Sequence, residues 1–346
     1  MEKIVVDTNH SSYDIVFVKG GLAKLGSFIR PLVKGKNVLV VTDDNVAKHY
    51  LATVRASLEA QGFFVYDFVI KSGERSKNTG VYLDIVGRLA ENAFLRSDIV
   101  LALGGGVVGD IAGFAAATYM RGVNLVQVPT SLLAMIDSSI GGKVGVDLPE
   151  GKNLLGAFYQ PKLVFVDVNT LSSLPQNEWD NGLGEGLKYA VLEGDRIFEI
   201  MDEETTRENV EEFVMLCAKY KVDIVVKDEK ESGLRRLLNL GHTLGHAIEK
   251  ASGFEIPHGE AVKCGLKFIS QASEKLGADE NDVLKVHALL EKYNTHCEYP
   301  ASELLPLVKN DKKAEDGAIN AVMFERIGSC FVKKMSFEDF AKLFDL

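Results

Sequence analysis

The sequence predicts an α/β domain with a mostly parallel, Rossmann-like sheet over residues 1–170, followed by a mainly helical domain over residues 171–346. Three observations carry this prediction. Short β-branched runs alternate with stretches of helical spacing until about residue 168. Beyond Asp167 the pattern turns helical. A chain of 346 residues, 46% of them hydrophobic, is also long enough for about two cores. Residues 14–18, 37–41, 63–69, 98–103, 124–128 and 163–168 read as strands, rich in Val, Ile, Leu and Phe. Residues 45–60 and 78–93 carry apolar side chains at helical spacing, as crossovers between parallel strands require. Residues 175–192, 207–226, 242–250, 259–276 and 281–293 read as helices, and 319–331 as a late strand.

Charge narrows the function classes. The chain has 39 basic and 49 acidic side chains, a formal charge of −10. Nucleic-acid binding needs a net basic face to displace counterions, and anionic membranes repel such a chain, so neither partner is expected. A small anionic substrate needs only a local basic cluster. Glu2 and Asp7 stand where an export signal has an apolar core, and the apolar stretch 99–120 is broken by glycines and Asp110. Cys217, Cys264, Cys297 and Cys330 are widely spaced, with no CxxC, which fits reduced thiols in a cytoplasmic protein.

The chemistry-bearing motifs begin at a glycine-rich turn. Gly104, Gly106 and Gly109 satisfy G-x-G-x-x-G between a strand and the helix predicted at 111–118. Glycine lets a backbone approach a pyrophosphate, and a helix N-terminus favours its charge. The acid expected about 20 residues on is absent, so the cradle is not a standard dinucleotide one. A tight turn packing helix on strand explains the same glycines. The segment 72–78, with Glu74 and Lys77, also follows a strand; it reads as a ligand loop or as a solvated loop with an N-cap at Ser76.

The segment 129–153 reads as a lysine-rich loop around Asp137. Lys143 and Lys152 there either reach solvent or meet an anion, and Arg121 is placed to join them. Further on, His242 and His246 stand four apart, which puts two imidazoles on one helix face. His258 opens the next helix. The pair resembles half of HExxH, but Thr243 replaces the glutamate, so a peptidase reading lacks its general base. Glu185, flanked by Gly184 and Gly186, is a candidate third ligand for a catalytic divalent ion. Exposed helical histidines and a helix-capping one are the alternative. Arg235, Arg236 and Asn239 suit a phosphate or carboxylate, or form a solvated face.

Taken in order, these segments resemble the 3-dehydroquinate synthase family of the sugar-phosphate cyclases. The likeness runs through 42–46, 72–78, 104–122, 129–156, 183–189, 235–249, 258–265 and 310–313, most of the chain. It implies a dehydroquinate synthase-like fold and a carbon–oxygen lyase of the shikimate pathway, dependent on NAD and a divalent metal. The implied reaction converts 3-deoxy-D-arabino-heptulosonate 7-phosphate to 3-dehydroquinate and phosphate by transient oxidation, elimination, reduction, ring opening and intramolecular aldol closure.

Site residues follow from the same resemblance. It implies NAD contacts at Asp43, Glu74, Lys77, Gly105, Gly106, Val107, Gly109, Asp110, Thr130, Ser131, Asp137, Lys143, Lys152 and Thr170. It implies zinc or cobalt on Glu185, His242 and His258. Substrate contacts fall on Arg121, Asp137, Lys143, Lys152, Asn153, Lys188, Lys221, Arg235, Asn239, His246 and, of the pair Lys312 and Lys313, on Lys313. A homodimer is the accompanying expectation. Gly184 and Gly186 depart from the family's residues, and since glycine costs about 1 kcal/mol against alanine in a helix, they are expected to loosen the helix bearing Glu185. Rival readings are another NAD- and metal-dependent sugar-phosphate cyclase, a polyol dehydrogenase, or a non-catalytic NAD sensor. A dehydrogenase would release NADH, and a sensor would leave the Glu–His–His trio dispensable.

Overall fold

A computed structural model describes residues 1–203, 206–309 and 318–345. The chain divides into two compact units: Met1–Pro175 with Lys221–Glu229, and Gln176–Tyr220 with Lys230–Leu346. The helix Val210–Lys227 thus contributes its last residues, from Lys221, to the first unit.

The first unit is built on strands β1 (Glu2–Asp7), β2 (Ser12–Phe17), β3 (Asn37–Asp43), β4 (Phe64–Ile70), β5 (Ile99–Gly104), β6 (Asn124–Pro129) and β9 (Leu163–Val166). Their order is β1-β2-β9-β6-β5-β3-β4. All neighbours pair in parallel except β1, which lies antiparallel on β2. Alternation along the strands explains why helices cover both faces: Val38, Val40, Leu101 and Leu103 enter one core, Leu39, Val41, Val100 and Ala102 the other. β5 is buried throughout, as a central strand should be. Chain order reverses between β3 and β5, the switch point where open parallel sheets bind ligands beyond the strands' carboxyl ends.

Two expectations change here. The lysine-rich segment is not a plain loop but contains a two-stranded antiparallel sheet, β7 (Lys143–Leu148) with β8 (Gly151–Phe158). Asn78, not Ser76, caps the helix Thr79–Glu91; its side chain accepts from Val81 N, while Ser76 ends a short 3₁₀ turn.

The second unit is helical around Gln176–Glu193, His242–Ala251 and His258–Lys275, and among the described residues its one sheet is a hairpin of β10 (Ala318–Arg326) and β11 (Ser329–Ser336). The single late strand expected at 319–331 is therefore two, turned at Gly328 with φ +80°. Backbone-to-backbone packing holds the helices close. A Cβ on Gly184 would lie 2.2 Å from Gly259 O, and one on Gly265 1.8 Å from Gly241 O. Gly186 leaves room for the Phe213 ring, whose Cζ would meet a Cβ at 2.7 Å. The helix Gln176–Glu193 runs unbroken through both glycines. They tighten the packing rather than loosen the helix.

Candidate active site

In the first unit, the implied cofactor residues gather at the carboxyl ends of parallel strands. Asp43 ends β3, the Glu74–Lys77 loop follows β4, Gly105–Asp110 follows β5, and Thr130–Ser131 follows β6. The helix Gly106–Thr118 starts with Gly105 at its N-cap and no side-chain cap. Its first N–H groups are thus available to an anion. A Cβ on Gly105 would meet Ser131 Oγ at 3.3 Å, and one on Gly106 would meet Ser138 Oγ at 3.1 Å, so side chains there would narrow the cradle. Gly104 is required by the turn itself, since its Cβ would lie 2.7 Å from Val108 Cγ2.

Beside this turn Lys77 is buried, and its Nζ meets Asp110 Oδ2 and Asn153 Oδ1, each at 2.6 Å. Burial works against the Lys77 charge, but Asp110 and Glu74 outweigh it and raise its pKa. Lys152 Nζ lies 4.0 Å from Glu74 Oε1. Lys221 Nζ meets Asp137 Oδ2 at 2.9 Å and donates to Asp137 O at 2.8 Å. Lys77, Asp110, Lys152 and Asn153 therefore form one polar group, with Asp137 and Lys221 as a second pair.

Other residues of the expected set are located by their own elements. Lys143 opens β7, four residues from the Asp147 that bonds Lys77 O, or about 13 Å along a strand. Arg121 is exposed, with φ +64°, beyond the C-terminal end of the helix Gly106–Thr118. Asp43 caps its own turn, accepting from Asn45 N and Val46 N, and Thr170 is buried with its Oγ1 donating to Asp167 O. Lys313 lies outside the described residues.

The second unit holds the histidines. Glu185, 1% exposed, points Oε1 at two ring nitrogens: His242 Nε2 at 3.2 Å and His258 Nε2 at 3.1 Å. Lys188, equally buried one turn on, pairs with Glu185 Oε2. Burial alone would raise the Glu185 pKa, yet Lys188 and His242 hold it well below the usual carboxylate range. Burial pushes His242 down, with Glu185 opposing. His258 is also penalised by burial, but Glu185 and Glu249 raise it to about 10.

These residues fit a divalent ion. The donor set is one carboxylate and two imidazoles, whose ligand atoms lie within 4.8 Å of one another, leaving a position open for substrate. Leu240 O lies 3.1 Å from His242 Nδ1 and can only accept, so Nδ1 carries the proton and Nε2 keeps a lone pair for metal. His246 is one turn on from His242, with ring centroids 5.4 Å apart. Arg235 is buried in the 3₁₀ turn Leu234–Asn239, and Asn239 Nδ2 donates to Glu231 at 2.5 Å.

Three residues that no sequence motif singles out support these groups: Asp147, which accepts from Asn153 N at 2.7 Å; Glu231; and Glu249, 3.5 Å from His258 Nδ1. Only Glu249 left a signal, lying three residues after His246 and so on the histidine face of that helix.

A glycine-lined helix N-terminus at the switch point of a parallel sheet, with a Glu–His–His trio on neighbouring helices, defines the class: a nucleotide- and metal-dependent enzyme. Known proteins make it particular. Residues 67–181 match the family described as 3-dehydroquinate synthase N-terminal, and residues 182–314 the family described as 3-dehydroquinate synthase C-terminal. The 3-dehydroquinate synthase of Clostridium acetobutylicum is 41% identical over 344 residues, 97% of each chain. That of Streptococcus suis is 39% identical over 347 residues, covering 97% of this chain and 98% of its own. Among solved structures, a 2-deoxy-scyllo-inosose synthase with carbaglucose-6-phosphate, NAD+ and Co2+ superposes with a TM-score of 0.88 at 23% identity, over 99% of both chains. The 2-epi-5-epi-valiolone synthase of Streptomyces hygroscopicus, with NAD+ and Zn2+, gives 0.85 at 25% over 98% of both. The chain belongs to the 3-dehydroquinate synthase family, whose activity it carries: an NAD- and divalent-metal-dependent carbon–oxygen lyase of the shikimate pathway, acting on a sugar phosphate.

Proposed function

We propose that two residue groups divide the work of the synthase reaction, and that the substrate is 3-deoxy-D-arabino-heptulosonate 7-phosphate. The glycine turn Gly105–Asp110, the Glu74–Lys77 loop and Thr130–Ser131 hold NAD; Glu185, His242 and His258 hold the ion, zinc or cobalt as in the solved relatives. When bound, NAD supplies a hydride acceptor that gives the hydride back, and the metal supplies a Lewis acid for the substrate's alcohol oxygen.

The chain's own residues bind and orient. Lys77, fixed by Asp110 and Asn153, keeps a positive charge beside the helix N-terminus, where a pyrophosphate would lie. Lys152, Asn153, Arg235, Asn239 and His246 supply the cations and amides that a phosphorylated acid requires. Asp137 fixes Lys221, and Glu185 fixes Lys188, so both ammonium groups are held for substrate oxygens. Arg121, Lys143 and Lys313 enter this reading on the resemblance alone, as do Asp43 and Thr170.

The NAD domain is proposed as residues 1–170 and the metal and substrate domain as 171–346. A homodimer is proposed in addition, supported by the apolar Leu154, Leu155 and Phe158 exposed along β8. A cytoplasmic setting is supported by four free cysteines.

The observation that carries this reading is the convergence of two histidine nitrogens on one buried Glu185 oxygen. His258→Ala tests it. The variant should lose metal in elemental analysis and lose activity, while binding NAD as before; unchanged metal content would refute the ligand assignment.

A further inference from the structure

We propose that Glu249 is a positioning residue of the metal site, its carboxylate accepting the Nδ1–H of His258 and aiming Nε2 at the ion. The inference rests on Glu185, His242 and His258 being the ligands.

Those three ligands are not held equally. The Glu185 side chain is 1% exposed, and His242 is tied to its own chain by Nδ1 donating to Leu240 O. His258 has neither hold. It is the first residue of its helix, after Pro257, and its side chain is 32% exposed, the most open of the three. An imidazole at a helix start can rotate about two side-chain torsions, and each misaligned rotamer weakens the metal bond. Something must fix it.

Glu249 is placed to do so. It lies on the helix His242–Ala251, three residues after His246 and seven after His242, on the same stripe as both rings. It is 4% exposed, and Oε2 stands 3.5 Å from His258 Nδ1. The turn after it fixes its backbone: Glu249 O accepts from Phe254 N at 2.7 Å and from Ser252 Oγ at 3.0 Å. On the other side of the ring, Nε2 faces Glu185 Oε1 at 3.1 Å. A proton on Nδ1 leaves the Nε2 lone pair for metal, and the negative charge behind the ring strengthens it as a ligand.

A rival arrangement exists. His246, Glu249 and His258 also bring ligand atoms within 4.8 Å of one another, so Glu249 could itself bind an ion. The two nitrogens of one imidazole point away from each other, however. An ion shared with Glu185 and His242 sits on Nε2, and Glu249 faces Nδ1.

The test measures metal affinity directly. Full-length protein is stripped of metal and titrated with Co2+ against a chromophoric chelator, with NAD binding as the check on folding. Glu249→Ala should weaken Co2+ binding about 10- to 100-fold. At saturation it should still take one ion per chain, with a shifted cobalt visible spectrum. Glu249→Gln, whose amide oxygen still accepts from Nδ1, should fall between Glu249→Ala and the parent chain, and it keeps the test alive should Glu249→Ala fail to fold. Affinity and spectrum unchanged in Glu249→Gln and Glu249→Ala would overturn the proposal. So would loss of the saturating ion in Glu249→Gln, because that makes Glu249 a ligand. Glu185→Gln run alongside separates the two claims: if it retains its ion, the ligand assignment fails, whatever Glu249 does.

Discussion

The two functional regions are built by opposite means. The glycine turn after β5 offers mainly backbone: an uncapped helix N-terminus, glycines that leave space, and Lys77 held by Asp110 and Asn153. The metal trio is all side chain, with Glu185 and His242 buried and each ring nitrogen already facing a partner. A backbone cradle can tolerate small shifts, because several N–H groups share one anion. A three-ligand centre cannot, since ligand distances vary by only a few tenths of an ångström. The lesson lies in the glycines. In the first region they make room for a ligand; in the second they make room for other helices.

Gly184→Ala is the strongest way to break this contrast. Its Cβ would fall 2.2 Å from Gly259 O, next to both Glu185 and His258. Overpacking should destabilise the protein by about 1–3 kcal/mol. Activity should drop by about 100-fold, the effect of a misplacement of about 1 Å around the reacting centre. Melting temperature and metal content measure this together. As a control, Gly87→Ala, mid-helix in the first unit with open space around it, should be neutral or stabilise by up to about 1 kcal/mol.

The converse variant is Lys77→Met. It removes the cation beside the helix N-terminus and should weaken NAD binding about 10- to 100-fold while leaving metal content intact. Equilibrium titration with NAD and elemental analysis check the two halves. Loss of metal with NAD binding unchanged would invert the proposed division.

A smaller effect lies in pH. In the metal-free protein, Glu185 stabilises the fold above the ordinary carboxylate range and ceases to as pH falls through its depressed value. His258, raised to about 10, stabilises fully below its ordinary 6.5 and loses that contribution as pH rises toward 10. Metal-free thermal stability should therefore decline between pH 6.5 and 10. Metal affinity should rise over the same window, because an ion must displace the His258 proton. Melts and chelator titrations at several pH values follow both curves.

Much of this was legible from residues alone. Alternating β-branched runs marked six of the seven strands in the main sheet, and β1 was missed because Glu2, Lys3 and Asp7 mask an edge strand's apolar residues. The β7–β8 hairpin is not legible as strands because Gly145 and Gly156 interrupt them, and both face the opposite strand's backbone closely enough that a Cβ would lie within 2.7 Å of it. Histidine spacing pointed to one helix face, yet nothing periodic links Glu185 to His258, 73 residues away. Only tertiary packing through Gly184 and Gly259 joins them. The same packing outweighs helix propensity at Gly184: propensity treats an isolated helix, whereas this one touches its neighbour by backbone.

The central claim is a redox cycle that closes on itself at a metal-dependent site. Its most direct test is phosphate release from 3-deoxy-D-arabino-heptulosonate 7-phosphate with substoichiometric NAD, before metal removal, after it, and after restoring zinc or cobalt. The account predicts many phosphates per NAD, no net NADH absorbance, loss of release on stripping and recovery on restoration. NADH accumulating with product, or phosphate release that survives metal removal, would contradict it.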